Sequence, residues 1–443
     1  MEGKLSFRQY LLVGSLLFGM LFGAGNLIFP VHLGQEAGSV VNLANLGFLV
    51  TGVGLPFLGV VAMGLSGCKN LQELAGRVHP LYGKIFTIAL YLAIGPAFAL
   101  PRTGTVSYEI GLAPYLGSGQ QGMGLGLFTA CFFFLALCFS LKPSKLLLWI
   151  GKFLNPLFLF FLGALILAAV FAPMGNPVAT AVQVSYSSSP FFKGFTEGYN
   201  TMDVLAVLAF AIIIVNTLQD LGLKEPKAIA WGTIKSGVVI VVLMCGLYTA
   251  LSWMGATSLG KFSLSANGGL ALAQIANHYF GALGAVLLAL IVTLACLKTA
   301  IGLICSCSDT FAAMFPEGPG YRTYVYIFTV IAFLVSNVGL TQIITLAIPV
   351  LMFLYPLAIT LILLTFVAML LGVSRPLYAV PTFFTAVAAL GDALNVLPQA
   401  VQNVGPVEQL LGFYRMLPFF NLGMGWIVPA LVGFILSFGF RKK

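Results

Sequence analysis

Twelve apolar blocks run along the chain, near residues 8–33, 40–66, 79–113, 122–141, 145–172, 193–217, 227–257, 279–307, 322–340, 342–372, 376–398 and 423–440. Each is long enough to cross a hydrocarbon layer of about 30 Å, which takes roughly 20 helical residues. The blocks are continuous and lack the ten-residue alternation of barrel strands, so they read as helices. The longest polar connections, 173–192 and 258–278, read as external loops containing Ser, Gly and Asn. The pattern predicts an all-α polytopic membrane protein with 12 transmembrane helices in a single domain, without a linker between independent units.

Composition agrees. Of 443 residues, 60% are hydrophobic and 7% charged, with a mean hydropathy of +1.03, outside the range of water-soluble domains. Lys and Arg concentrate in cytoplasmic loops of membrane proteins. With the N-terminus inside, the cytoplasmic set is Lys4, Arg8, Lys69, Arg77, Lys84, Lys142, Lys145, Lys152, Lys224, Lys227, Lys235, Arg322, Arg375, Arg441, Lys442 and Lys443, 16 of the 21. Only Lys193, Lys261 and Arg415 fall opposite, while Arg102 and Lys298 fall within helices. Both termini are therefore expected in the cytoplasm, and the net charge of +9 reflects topology and anionic lipid, not nucleic acid.

Residues 1–33 do not fit a secretory signal, because the apolar stretch is too long and no small-residue cleavage site follows. The seven cysteines show no metal-type spacing and read as small buried hydrophobes. His32, His79 and His278 are scattered near membrane boundaries, where interfacial or capping roles are expected. Without a Walker loop, a GxSxG elbow or HExxH, neither an ATP-driven pump nor an enzyme is indicated, and no cofactor is expected.

The first block is interrupted by "LFGAGNLIFP", residues 21–30. Hydrocarbon does not tolerate unpaired backbone groups, so a break must line something polar. The glycines permit an unwound backbone, with Asn26 capping a half-helix whose first turn holds Pro30. The amides of that half-helix form a site for an anion such as a carboxylate, and the carbonyls around Gly19 to Phe22 offer a complementary cation site. The alternative is that Gly23 and Gly25 only permit close helix packing.

An inverted repeat requires a second interruption half a chain later. In "GFTEGYNTMDVLAVLAF", residues 194–210, the polar cluster Glu197, Tyr199, Asn200, Thr201 and Asp203 runs into an apolar helix. Asp203 at membrane depth can receive a cation or the ammonium of a zwitterion; alternatively, residues 194–203 lie in the external interface and cap the helix. In the third block, Pro96 and Pro101 bracket a kink followed by Arg102, Thr103, Thr105, Ser107 and Glu109. Arg102 can pair with Glu109 or with Asp203. Lys298 in the eighth block has Thr299 beside it and no carboxylate on its own helix until Asp309. A buried ammonium must find a partner on another helix or lose its proton.

These residues resemble the bacterial branched-chain amino acid:cation symporters of the LIVCS family, in the amino acid/polyamine/organocation superfamily. The resemblance runs nearly the whole length, through "FGAGNLIFP", "GPAFALPRTGTVSYEIGLAP", "GYNTMDVLA", "ANGGLALAQ", "ACLKTAIGLICSCSDTFA", "VSNVGLTQII" and "IPVLMFLYP". It implies a LeuT-type core of two inverted five-helix repeats, about 8–172 and 193–372, with peripheral helices over 376–440. It further implies a multi-pass protein of the bacterial inner membrane that imports leucine, isoleucine and valine by alternating access, coupled to Na+ or H+. The rival readings are a permease for other small neutral amino acids and, from another class, a channel, although no pore helix or charged ring is visible.

By the same resemblance, the amides of Gly23, Ala24, Gly25 and Asn26 take the substrate carboxylate, and Thr201, Met202 and Asp203 face its ammonium. Spans 1, 3, 6 and 8 would line the apolar pocket, with span 10 as a further candidate and Arg102 and Glu109 as a supporting polar network. The one metal site implied is for sodium, formed by Gly19, Phe22, Ala295, Thr299 and the residue at 298. Other members of the family carry a neutral residue there. Lys298 is therefore expected to place its ammonium where the ion would sit, weakening sodium dependence.

Overall fold

The computed structural model describes residues 5–117, 119–141, 146–223 and 225–440, and all its regular secondary structure among them is helical. The first half contains α1 (Phe7–Leu21), α2 (Ala24–Ala37), α3 (Val41–Leu49), α4 (Leu55–Ser66), α5 (Leu71–Gly76), α6 (Pro80–Leu92), α7 (Ala99–Gly111), α8 (Gln121–Leu141) and α9 (Leu146–Phe171). The rest contains α10 (Val184–Ser187), α11 (Pro190–Glu197), α12 (Asp203–Asp220), α13 (Pro226–Ser258), α14 (Gly268–Met314), α15 (Tyr321–Ser336) and α16 (Leu340–Leu371). α17 (Arg375–Asn395), α18 (Gln399–Gln402), α19 (Gly405–Tyr414) and α20 (Ile427–Gly439) complete it.

Among the described residues, seven helical stretches are long and apolar enough to cross a membrane, or eight if the pair Asp203–Ala211 and Ile213–Asp220, bent by 42°, is one span. Pro156–Phe171, Tyr321–Ser336 and Ile427–Gly439 are apolar but shorter. Those three shorter helices account for part of the difference from the number of apolar blocks, and two features of the first blocks add to it. The first block is cut into halves too short to span, and Ala24–Ser66 runs on through tight and wide helical turns as one 43-residue stretch.

Two loop expectations are corrected. Residues 268–278, expected within a polar loop, form the first part of α14, because Asn267 caps it by accepting from Gly269 and Leu270 N–H at 3.0 and 3.1 Å. The apolar face of Ala271, Leu272, Ile275 and Ala276 is then buried. Gly281, with φ 62°, breaks helical geometry within α14 and separates this first part from the longer second one. Residues 184–187 and 190–192, expected in the other loop, are likewise helical. Cys68, Cys296 and Cys307 are buried as expected of small hydrophobes, but Cys131 and Cys138 are exposed on α8. His79 caps α6, accepting from Leu81 N–H at 3.2 Å. Lys4, Lys142, Lys145, Lys224, Arg441, Lys442 and Lys443 of the cytoplasmic set lie outside the described residues, as does the side chain of Lys152.

Close packing without side chains joins the helices that carry the site. A Cβ on Gly34 would lie 1.9 Å from Ser252 O, and one on Gly255 2.0 Å from Val31 O, so α2 and α13 touch backbone to backbone. Small residues permit such approach in membranes, and polar side chains hold it. Here Gln35 Nε2 donates to Ser258 Oγ at 2.9 Å, and Asn45 Nδ2 on α3 donates to Thr249 Oγ1 at 2.9 Å.

Candidate functional site

The first break is two residues long. α1 closes at Phe22, whose N–H still donates to Phe18 O at 2.8 Å, and Gly23 is extended at φ −120°, ψ −164°. α2 begins at Ala24, and Asn26 Oδ1 accepts from Gly23 N–H at 2.8 Å. This corrects the expected local geometry. Asn26 stands inside the new helix at its third position, and Pro30 lies in the second turn. The carboxamide satisfies an orphan amide from within the helix, as the third residue of a capping box does, so the helix resumes earlier. The N–H groups of Ala24, Gly25 and Asn26 precede the first helical hydrogen bond, and the last carbonyls of α1 follow the last one. A positive and a negative dipole end thus meet at one level.

The second break lies at Met202, which takes φ 61° between a tight turn at Gly198–Thr201 and α12. A methionine in the left-handed region is held there by its surroundings, at a cost on the order of 1 kcal/mol; Met202 is 2% exposed. Thr201 Oγ1 donates to Gly198 O at 2.9 Å and accepts from Asp203 N–H at 3.3 Å. Before the turn, Lys193 pairs with Glu197, and Asn200 Nδ2 donates to Glu197 Oε2 at 2.9 Å.

The two breaks are bonded to each other. Asn26 Nδ2 donates to Asp203 Oδ2 at 2.7 Å and to the Tyr248 hydroxyl, which itself donates to Asp203 Oδ2 at 3.2 Å. Asn26 and Asp203 are each 2% exposed and Tyr248 is fully buried. Asp203 is therefore an interior carboxylate at the N-terminus of α12, where the helix dipole favours its charge.

A cavity of about 320 Å³ opens beside this junction, within the range of small-molecule sites. Its polar wall includes Gly23, Ala24, Gly25, Asn26, Arg102, Thr201, Met202 and Asp203, and Ile94, Phe210, Ile213 and Leu303 form much of its apolar wall. Spans 1, 3, 6 and 8 contribute. The tenth does not: Tyr355 on α16 packs behind the wall, stacked on Tyr199 at 4.3 Å.

Gly19, Lys298 and Thr299 line the same cavity, whereas Phe22, Ala295 and Glu109 are not in its wall. Gly23 faces Thr299, since a Cβ there would lie 3.8 Å from Thr299 Oγ1. That hydroxyl donates to Ala295 O at 3.1 Å, leaving its lone pairs for a cation. Carbonyls at the end of α1 and a hydroxyl are hard oxygen donors of the kind a small cation takes, and Lys298 stands in the same wall.

Arg102 pairs with neither carboxylate expected for it. Its Nη1 donates to Asn200 O at 2.6 Å, and its guanidinium lies 5.2 Å from the Phe29 ring centre. Glu109 instead packs against the start of α14, where a Cβ on Gly269 would lie 3.2 Å from its own Cβ. The kink expected between Pro96 and Pro101 is present: Gly95 and Phe98 leave helical geometry. Sequence reasoning missed Tyr248, which sits in an apolar run that carries no local signal; its partners are 222 and 45 residues away.

Helices broken at mid-length and bonded break to break around a cavity define a carrier built from discontinuous membrane helices. Solved structures share this fold: the inward-facing conformation of Mhp1 (TM-score 0.63, 15% identity, 97% of this chain and 90% of that one) and MhsT in complex with L-phenylalanine (0.56, 14%, 99% and 100%). The family described as "Branched-chain amino acid transport protein" matches residues 6–443. The branched-chain amino acid permease BrnQ of Lactobacillus delbrueckii subsp. lactis is 45% identical over 438 residues, covering 98% of this chain and 97% of that protein. BrnQ of Bacillus subtilis (strain 168) is 44% identical over 447 residues, covering both chains fully, and BrnQ of Escherichia coli (strain K12) 36% over 437, covering 99% and 96%. The chain belongs to this family of branched-chain amino acid transport proteins: it is a multi-pass membrane permease and not an enzyme.

Proposed function

We propose that this chain imports leucine, isoleucine and valine across the bacterial inner membrane by alternating access, with 12 spans, two inverted five-helix repeats and both termini cytoplasmic. The observation that carries the proposal is the hydrogen-bonded meeting of two helix breaks, Asn26 to Asp203, at one cavity in a chain of this family. The substrate carboxylate lies on the amides of Ala24, Gly25 and Asn26. Gly23 holds the turn instead, since its N–H is taken by Asn26. Thr201, the Met202 backbone and Asp203 face the ammonium, and the aliphatic side chain meets Ile94, Phe210, Ile213 and Leu303. On the α1 side, Lys298 supplies the cation that sodium would otherwise supply.

Selectivity tests this reading. Leucine carries three more carbons than alanine, and each buried methylene contributes about 0.8 kcal/mol, so alanine should bind on the order of 50-fold more weakly. In proteoliposomes, unlabelled isoleucine and valine are expected to displace labelled leucine at similar concentrations, with alanine and the aromatic amino acids far weaker. Equal displacement by alanine would assign the cavity to small neutral amino acids generally.

A further inference from the structure

Arg102 on α7 is 3% exposed and stands in the wall of the central cavity, which it shares with Thr201 and Asp203. Only one of its three nitrogens is engaged: Nη1 donates to Asn200 O at 2.6 Å. Nε and Nη2 are buried and, among the described residues, have no hydrogen-bond partner. A guanidinium keeps its charge in proteins, and charged donors buried without acceptors are among the costliest arrangements a fold can hold. The two unused nitrogens share one edge of the planar group, the edge whose parallel N–H bonds match both oxygens of a carboxylate.

We propose that this edge of Arg102 receives the carboxylate of the amino acid, together with the amides at the start of α2. Arg102 thereby makes an α-carboxylate a condition of entry. The proposal rests on the reading of the cavity as the amino acid site. Through Nη1 the same side chain holds the turn that precedes Met202, so a carboxylate on its outer edge ties α7, the second break and α2 into one unit. The Phe29 ring fixes the guanidinium plane from the side.

The test uses purified full-length protein and two probes: leucine, and 3-methylbutylamine, which is leucine without its carboxylate. Affinity is read from ligand-dependent thermal stabilisation, which rises with the logarithm of ligand concentration over Kd. The wild type is expected to prefer leucine strongly. In Arg102→Gln that preference should fall by about 10–100-fold, because leucine weakens while the amine does not. Arg102→Lys, which keeps a charge without the two-pronged edge, should lose part of the preference and provides the same reading where the glutamine variant does not fold. If both ligands weaken equally in the variants, Arg102 is only a strut for Asn200 and the proposal is overturned. If the wild type is not stabilised by leucine at all, the amino acid reading of the cavity fails, a different outcome from retained preference in the variants.

Discussion

Replacing Asp203 by asparagine is expected to lower leucine affinity by about 10–100-fold while leaving the protein folded, the range for losing a hydrogen bond to a charged group. The side chains are nearly isosteric, and the asparagine oxygen can still accept from Asn26 Nδ2 and Tyr248, which now bond to Asp203 Oδ2 at 2.7 and 3.2 Å. The junction between the breaks therefore survives, and the variant loses only the carboxylate proposed to face the substrate ammonium. Leucine binding and size-exclusion behaviour of Asp203→Asn together check this. Unchanged affinity in a well-folded variant would place the ammonium elsewhere.

Lys298→Thr should convert a transporter with little response to sodium into one stimulated at least about tenfold by it. In the wild type, Lys298 stands in the wall that also holds Gly19 and Thr299, beside the end of α1. The helix dipole favours positive charge at that end whatever its source. Threonine removes the fixed charge and adds a second hydroxyl one residue before Thr299, restoring a need for a mobile ion. Leucine uptake into proteoliposomes, with sodium or choline outside, measures the change. Lys298→Met, which removes the charge and supplies no oxygen, should be slow in both media. Strict sodium dependence of the wild type would refute the substitution of lysine for the ion.

Much of this site is legible in the sequence because membrane helices advertise their interruptions. Gly23, Gly25 and Asn26 stand out in an apolar run, and so does the polar cluster ending at Asp203; both breaks fall within a few residues of where those patterns put them. The details set by distant contacts are not legible. The left-handed Met202 has no composition signature, since its conformation comes from packing. Asn26 looks like a cap from its neighbours alone, yet its carboxamide completes three hydrogen bonds, two of them to residues 177 and 222 positions away. Arg102 was expected to seek a carboxylate and took a backbone carbonyl instead, because the turn before Met202 exposes one at the right level. The helix over 268–278 reads as loop because Gly268, Gly269, Gln274, Asn277 and His278 interrupt its apolar positions.

One site between two broken helices is expected to be presented alternately to each side of the membrane. Counterflow by the wild-type protein in liposomes without an ion gradient tests it most directly. Liposomes loaded with unlabelled leucine, isoleucine or valine are expected to accumulate external labelled leucine transiently above equilibrium, since exchange on a single alternating site needs no net ion movement. Accumulation that only approaches equilibrium, whatever is loaded inside, would contradict the account and indicate a channel.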